Sequence, residues 1–450
     1  MKSIIVLLIG LTVSSAVFSQ TGDSASVSFS LQQAIDYAMQ NQKDVKNAVL
    51  EEQVAKQKVN EITGLGLPQI NTSFDVKDFL QIPTSLIPAE FFGGKPGTFI
   101  PVKFGTQYQG TVGADASQLL FSGEYLLGLK AAKVFVELSK KSTERTKIET
   151  TALVSKAYYT VLINQERIKL MEANIVRLKK TKEDTKVFLE NGFVEKIDYD
   201  RLTVTYNSLL VEQDKVRRLL ELGTYLLKYQ IGMEMNTKLI LTDKLETVKL
   251  DVAATAAVDK FDYTKRVEYN LFEVQYKLAA LDFKRNKVAY LPTAAAYGSI
   301  NGTAQRENFD IFKIGEKWYP TALIGAKVSL PIFTGLQRNA RYQQAKIKVM
   351  EAENNMDFIR KSIDLELAST STMLKNASAS LDIQKENITI AEDVARVAKI
   401  KYDQGVGSNL ELVTAETALK EAQTNYYNAM FDALVAKIDY DKANGNNVIK

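Results

Sequence analysis

The feature that most constrains this chain is an uninterrupted stretch, residues 336–404, that contains neither glycine nor proline. As a single helix it would be about 100 Å long, far longer than a globular domain requires. A period near 3.5 predicts that this helix packs along other helices as in a coiled coil. Mostly apolar and small residues recur at steps of three and four, at Met356, Ile359, Ile363, Leu367, Thr370, Leu374, Ala377, Leu381, Gln384, Ile388, Ala391, Ala395, Ala398 and Tyr402.

The long stretch ends at a turn around Gly405, where glycine can adopt the left-handed cap conformation. Ser408 or Asn409 can then cap a second helix, which runs back over residues 410–441. We therefore predict a long antiparallel helical hairpin at the end of the chain.

The first half of the chain contains a second copy of this hairpin pattern. The predicted order helix, strand, loop, strand, long helix, turn and helix occurs twice along the sequence. Gly192 is as far from Gly405 as Gly232 is from Gly445, and Gly113 is as far from Gly325 as Gly123 is from Gly335. Agreement in order, period and register indicates an internal duplication. The predicted organisation is a secretory signal at 1–19, a first repeat at 20–232, an equatorial insertion at 233–262, a second repeat at 263–442 and a tail at 443–450.

Four short segments alternate between apolar and polar residues, which predicts amphipathic strands. In residues 69–78, for example, Ile70, Thr72, Phe74 and Val76 alternate with polar neighbours, and residues 80–103 between the first two strands are predicted to be a loop. One interpretation is a water-soluble two-layer sheet, and the other is an outer-membrane β-barrel with lipid outside and water inside. The export signal, the lack of a second sheet and aromatic residues near strand ends favour the barrel: Phe74, Phe79, Tyr108, Trp318 and Tyr319. Four strands are fewer than the smallest barrels contain, so several copies must close one barrel.

Composition excludes most chemistry. The chain has no Cys and no His, which removes disulfides, thiol nucleophiles, imidazole catalysis and Cys/His zinc sites. The net charge of +4 is spread over interspersed charges without a basic block, so nucleic acid is not expected as a partner. No cofactor, metal or catalytic site is predicted.

Several of these features together resemble the outer membrane efflux protein family. They are the signal segment, the duplicated layout, Pro331-Ile-Phe-Thr-Gly335 before the long helix, and Tyr402-x-x-Gly405 followed by Leu412, Ala415, Leu419 and Ala422. The resemblance implies a mainly α fold with β: a homotrimeric, twelve-stranded transmembrane β-barrel, four strands per chain, continued by a long antiparallel α-helical coiled-coil barrel. It implies a duct in the bacterial outer membrane that extends into the periplasm, and as partners a periplasmic adaptor, an inner-membrane transporter and outer-membrane lipid.

The resemblance also suggests site residues. Asp198 and Glu411, each six positions after a turn glycine, match acidic positions that line the family's constriction, although an acid in a first helical turn also complements the helix dipole. The family often has a second acid three positions later, where this chain has Arg201 and Thr414. Tyr402 resembles a tyrosine that ties neighbouring helices together near the constriction, and packing is its alternative role.

Two further groups of residues are candidates. The turns at 191–195 and 404–409 would contact the adaptor, with helix capping as the alternative role, through Asn191, Gly192, Phe193, Gln404, Gly405, Val406 and Gly407. Asp115 and Lys327 lie on the polar strand faces at matching repeat positions, and could pair in the lumen or form a solvated wall. The competing function is a periplasmic coiled-coil adaptor or scaffold, which fractionation with or without the outer membrane would distinguish.

Overall fold

The computed structural model of the protein describes residues 26–245 and 261–446, so the predicted signal segment lies outside the described residues. Its helices are α1 (Leu31–Asn41), α2 (Lys43–Gly64), α3 (Gly123–Glu190), α4 (Lys196–Ile231), α5 (Val267–Val288), α6 (Gln337–Asp403) and α7 (Asn409–Ala443). Its strands are β1 (Ser26–Phe29), β2 (Gln69–Asp78), β3 (Thr84–Pro88), β4 (Phe99–Lys103), β5 (Tyr108–Phe121), β6 (Lys238–Leu241), β7 (Thr293–Arg306) and β8 (Tyr319–Ser329).

Two long helical hairpins, α3/α4 and α6/α7, dominate the molecule. Helix α3 has 68 residues and α6 has 67, as the absence of proline permits; the only two glycines in these helices, Gly123 and Gly128, lie in the first two turns of α3. The predicted seam of α6 is buried at Ile363, Leu367, Leu374, Ala395 and Ala398, mostly against α7. Helices α3 and α7 also pack together, which joins the two hairpins of the chain into one body.

The helical segment that opens the first repeat, expected as one helix in the order above, is broken in the structure. It divides into α1 and α2 at Gln42, whose backbone is extended. Gln42 Oε1 accepts a hydrogen bond of 2.9 Å from the amide of Val45 and so caps α2. The left-handed Gly232 after α4 lies against this break, and a Cβ atom there would be 2.6 Å from the carbonyl oxygen of Asn41.

The second architectural part is an antiparallel sheet with the strand order β2-β5-β7-β8. Directly paired residues share a face, so the registers sort every side chain. One face is apolar, including Ile70, Phe74, Val76, Val112, Ala114, Ala116, Ile300, Ala304, Ala322, Ile324 and Val328. The other is mostly polar, including Asn71, Ser73, Asp75, Lys77, Thr111, Asp115, Ser117, Ser299, Asn301, Thr303, Thr321 and Lys327, with Tyr297 and Leu323 among them.

The segment between β2 and β5, predicted as a loop, is more ordered than that. It contains the antiparallel pair β3 and β4, joined through a short 3₁₀ helix, Ala89–Phe92. Apolar residues of this hairpin are largely exposed, including Leu86, Phe91, Phe92 and Phe99. Two prolines of this segment lie within the strands, Pro88 at the end of β3 and Pro101 in β4, where a two-stranded pair tolerates the missing amide.

Strand β6 lies in the described part of the predicted insertion and pairs in parallel with β1. The small β1–β6 sheet covers a core that includes Ala34, Tyr158, Leu162 and Leu227. Asp243 accepts hydrogen bonds from the Leu31 amide at 2.8 Å and the Tyr158 hydroxyl at 2.9 Å, so the segment after β6 is fastened to both α1 and α3. The sequence analysis did not predict β1. The strand is only four residues long, too short to show a clear alternation of apolar and polar residues.

Within the residues that the structure describes, no helix combines the length and the apolar character needed to cross a membrane. The same residues contain no cluster of acidic side chains suited to hold a metal ion.

Candidate gate and partner surface at the helical tips

The turns at the ends of the two hairpins are built in the same way. Gly192 and Gly405 are both left-handed, with φ of 73° and 72°. After each glycine the next amide returns to a carbonyl of the preceding helix, Phe193 to Phe188 at 2.8 Å and Val406 to Lys401 at 3.0 Å. Equal geometry at equivalent positions of the two repeats is what the internal duplication predicts.

Each tip presents an apolar side chain directly after its glycine. Phe193 and Val406 are each 79% exposed, and Ile197 and Leu410, four positions later, are also exposed. Among the other predicted contact residues, Asn191 donates from Nδ2 to the Val187 carbonyl at 2.8 Å and therefore has the capping role. Gln404 and Gly407 contribute backbone amides that close the α6 terminus. The repeated apolar pairs are thus exposed at equivalent positions of both tips.

Tyr402 ties the two hairpins together within one chain. Its hydroxyl lies 2.8 Å from Thr185 Oγ1, and the tyrosine is 7% exposed and the threonine 0%. Burial raises the pKa of Tyr402, and the negative charge of Asp198 raises it further, so the hydroxyl keeps its proton. The bond joins α6 to α3 close to the ends of both helices.

Asp198 lies in the first turn of α4 and faces the second hairpin through its backbone. Its carbonyl accepts a hydrogen bond of 2.6 Å from Nδ2 of the buried Asn409. Its carboxylate is 3.8 Å from Arg201, the residue that stands where the family often has an acid. The charge of Asp198 is therefore partly neutralised by its own helix.

Glu411 lies in the first turn of α7, where its amide is capped, and its carboxylate also forms an ion pair. Its amide is bound by Ser408 Oγ at 3.1 Å, which identifies Ser408 rather than Asn409 as the N-cap residue of α7. Its carboxylate accepts a hydrogen bond of 3.1 Å from Lys401 Nζ, across the turn on α6. Sequence reasoning missed Lys401, because a partner ten positions away is adjacent only once the hairpin turn is formed.

Sequence reasoning also missed the polar contacts that join α3 to α7 above the tips. Arg177 binds Glu416 at 2.8 Å, and Asn174 donates to Gln423 at 2.7 Å. Lys156 and Asp439, nearer the sheet, are 2.6 Å apart. The two members of each pair belong to different repeats, so helical periodicity within either hairpin gives no indication of them.

The predicted lumen pair is not formed within the chain. Asp115 lies opposite Asn71 and Ser299, whereas Lys327 lies opposite Ala295, with β7 between the two charged residues. They are on the same polar face but lie on strands that are not neighbours, and they are also offset along the strand direction. Positions related by the duplication occupy corresponding strands, which are not adjacent here.

Aromatic side chains gather on the apolar face at one end of the sheet. The rings of Phe74 and Phe312 are 5.9 Å apart, and those of Tyr108 and Phe309 are 5.4 Å apart. Trp318 lies close to Gly110 and Gly302 on the same face, so the loop after β7 folds over that face. Phe74, Tyr108 and Trp318 match the predicted aromatic band, whereas Tyr319 pairs with Thr303 on the polar face.

The chain's similarity to known proteins agrees with this geometry. A family model described as Outer membrane efflux protein matches residues 262–446, the second repeat. Over its second repeat the chain is therefore similar to the outer membrane efflux protein family. It is 23% identical over 345 residues to the probable efflux pump outer membrane protein TtgC of Pseudomonas putida. These residues are 76% of this chain and 69% of that one. It is 18% identical to the outer membrane protein TolC of Vibrio cholerae, over 74% of this chain and 76% of that one.

The fold matches solved structures over nearly the whole chain. A membrane protein from Pseudomonas aeruginosa superposes with a TM-score of 0.74 at 16% identity, over 92% of both chains. The relatives are outer-membrane channels of efflux and secretion, and this similarity supports an outer-membrane duct that extends into the periplasm over an adaptor or scaffold. Channels like TolC are trimeric and work with adaptors and inner-membrane pumps.

Proposed function

We propose that this chain forms a passive, homotrimeric export duct that performs no chemistry and is opened at its helical tips by a periplasmic adaptor. Three copies would close a twelve-stranded barrel, and the hairpins would continue its lumen towards an inner-membrane transporter. The observation that carries the proposal is the sheet itself. It is apolar on one face and polar on the other and leads directly into two hairpins of about 100 Å.

The acidic residues at the tips are proposed to form the constriction. Repeated around a threefold axis, Asp198 and Glu411 would give rings of carboxylates that attract cations and retard anions. Lys401 and Arg201 lie within ion-pair distance of these acids and reduce the field of each ring in the arrangement seen here. Opening the tips would break the Lys401–Glu411 contact, because Lys401 and Glu411 belong to different helices of one hairpin.

Single-channel conductance in a planar bilayer tests the gate. The purified mature protein is expected to show small cation-selective steps, and Asp198→Ala/Glu411→Ala is expected to show larger steps with weaker selectivity. Asp382→Ala, which removes an exposed acid from α6 away from the tip, serves as the matched control. Steps that are identical in the double variant and the wild type would reject the gate but keep the duct. Folded protein that forms no channels would reject the duct.

The apolar tip residues are proposed to be the docking surface for the adaptor. Phe193→Ser/Val406→Ser is expected to abolish export of a fluorescent efflux substrate from cells while leaving conductance in bilayers unchanged. Val211→Ser, at an exposed position on α4 away from the tip, is the control and should export normally. Normal export by the double tip variant would contradict this assignment.

A further inference from the structure

The described sheet has two open edges, β2 and β8. In a hydrocarbon environment the amide and carbonyl groups of an open edge have no partner, and each unsatisfied group is costly. The apolar face of these strands therefore cannot meet lipid until both edges are paired. In a closed assembly of identical chains, β8 of one copy must pair with β2 of the next.

The internal duplication specifies the register of that pairing. Gly113 pairs with Ser73 in the first repeat, and Gly325 pairs with Tyr297 in the second. Strand β8 thus corresponds to β5, with Gly325 equivalent to Gly113, and β7 corresponds to β2, with Tyr297 equivalent to Ser73. The junction between repeats, β5 against β7, is visible within the chain, and β8 against β2 of the neighbour is the same kind of junction.

Within the chain, Asp115 of β5 lies opposite Ser299 of β7. The position that corresponds to Asp115 is Lys327, and the position that corresponds to Ser299 is Asp75. We infer that Lys327 of each copy lies opposite Asp75 of the next copy and forms an ion pair with it across the subunit boundary. This inference rests on the proposed assembly of several copies into one barrel. Ser329 then lies opposite Ser73 in the same ladder.

The charges on β2 distinguish this register from its neighbours. A shift of one residue would place polar side chains on the apolar face, which the pleat of the sheet excludes. A shift of two residues would place Lys327 opposite either Ser73 or Lys77, and two lysines directly opposite each other are destabilising. Asp75 is the only acid on the polar face of β2, so one register alone gives Lys327 an acidic partner.

The local environment fits this assignment. Asp75 contacts Lys77 on its own strand at 3.1 Å, and about half of its side chain remains exposed at the sheet edge. Lys327 has no ion pair in the part of the chain that the structure describes. The two residues occupy opposite edges of one copy, three strand spacings or about 14 Å apart across the sheet. They are also offset by eight residues along the strands, because the β8 residue in line with Asp75 is Tyr319. Only a second copy can therefore bring them together.

Disulfide trapping tests the register, because the chain has no cysteine of its own. Oxidised Asp75→Cys/Lys327→Cys, inserted in membranes, is expected to give covalently linked oligomers as the main product on non-reducing gels. Ser73→Cys/Ser329→Cys should do the same, since both pairs fall within the Cα separation that a disulfide requires. Asp75→Cys/Thr111→Cys, a pair that is directly opposed within one chain, is the matched control and should oxidise without linking copies.

The shifted pairs Lys77→Cys/Lys327→Cys and Ser73→Cys/Lys327→Cys decide against the inference if either links copies more completely than Asp75→Cys/Lys327→Cys. An oligomer, shown by light scattering, that links in none of these registers also overturns it. A monomeric, folded protein would instead contradict the proposed assembly, so the two failures are distinguishable.

A charge exchange provides a second test without cysteines. Asp75→Lys and Lys327→Asp are each expected to lower the temperature at which the oligomer dissociates in detergent. The double variant Asp75→Lys/Lys327→Asp should recover most of that loss, because the ion pair is restored with its charges reversed. Losses that simply add in the double variant would contradict the pairing.

Discussion

The two repeats differ at the base of their hairpins although they share the same scaffold there. Gln42 and Arg266 are both the N-cap of the helix that follows, and they occupy equivalent positions in the two repeats. Each donates to the acid two positions later, Gln42 to Asp44 at 2.9 Å and Arg266 to Glu268 at 3.0 Å. The glycine that ends the hairpin packs beside the same point in both repeats, Gly232 at Asn41 and Gly445 at Lys265.

The difference is that the second repeat adds charge. Arg266, 3% exposed, also binds Glu366 at 2.7 Å and the Ala443 carbonyl at 2.8 Å. The position in α3 that corresponds to Glu366 is Leu153, so the first repeat has neither the acid nor the guanidinium. The hydrogen bonds at this buried N-cap position can therefore be formed by a neutral amide, as in Gln42, or by a charged group, as in Arg266. The charged group requires its acidic partners to be present as well.

The largest expected effect comes from breaking that network. Arg266→Ala leaves two carboxylates and a helix-terminal carbonyl without their buried partner, which should lower the free energy of unfolding by about 3–5 kcal/mol. The corresponding Gln42→Ala removes one cap and one hydrogen bond, at a cost of about 0.5–2 kcal/mol. Thermal unfolding in detergent, followed by circular dichroism, should show the larger shift for Arg266→Ala. Equal shifts would mean that the extra charges add nothing to the second repeat.

A smaller effect is expected where the two hairpins are joined. The Tyr402–Thr185 bond is also asymmetric, because the positions related by duplication are Leu189 and Ala398. Thr185→Val leaves the buried tyrosine hydroxyl unpaired and should cost about 1–3 kcal/mol. It should also enlarge the conductance steps if the bond holds the tips closed. Thr181→Val, one turn away, removes only an intrahelical bond, and a conductance change of the same size in this control would contradict the role of the tie.

The tips themselves should respond equally in both repeats. Gly192→Ala and Gly405→Ala each place a residue with a side chain in the left-handed conformation, which should lower the free energy of unfolding by about 1–2 kcal/mol. No atom lies within 4 Å of the position that the new Cβ would take at either glycine, so backbone strain is the only term. Gly232→Ala should cost more, because its Cβ meets the backbone of Asn41 and Gln42. Unequal unfolding temperatures for the two tip variants would show that the tips differ in their packing.

The smallest effect concerns pH. Burial acts to raise the pKa of Glu268, but the hydrogen bond and charge of Arg266 outweigh it and the pKa is lowered from its ordinary 4.5. A lowered pKa contributes stability that is present above the ordinary value and is lost as the pH falls through the folded value. The loss is limited, since Arg266 keeps Glu366 and the Ala443 carbonyl. Unfolding temperatures measured from pH 6 to pH 3 should therefore fall less steeply for Glu268→Gln than for the wild type, and parallel curves would refute the linkage.

The sequence predicted the parts of the fold that depend on local pattern. A long stretch without glycine or proline indicated α6, glycines at matching positions indicated both tips, and alternation indicated β2, β5, β7 and β8 with their two faces. Such features are set by residues close together in the chain. The tip glycines were found for the same reason, whereas the role of Tyr402 was suggested by the resemblance to the efflux protein family.

The features that sequence reasoning missed depend on contacts between distant segments. The break at Gln42 has no glycine or proline to mark it, and Gly232, which follows the end of α4, packs against it. The β1–β6 pair joins a short strand at the start of the first repeat to one that follows the end of that repeat. The partners of Glu411 and Asn409 become neighbours only when a turn closes or two hairpins dock. The separation of Asp115 from Lys327 likewise depends on strand order rather than on the alternation within any strand.

The two open edges of the sheet have a consequence for how the protein is made. A newly exported copy carries an apolar face with unpaired backbone groups on both sides, and this combination is also a template for aggregation. The four strands cannot enter the bilayer one copy at a time, because their edges would remain unsatisfied in lipid. Association and insertion must therefore be coupled steps of biogenesis. In the proposed trimer, a lone copy would need shielding on its way across the periplasm, and the yield of channel would depend steeply on how many copies arrive together.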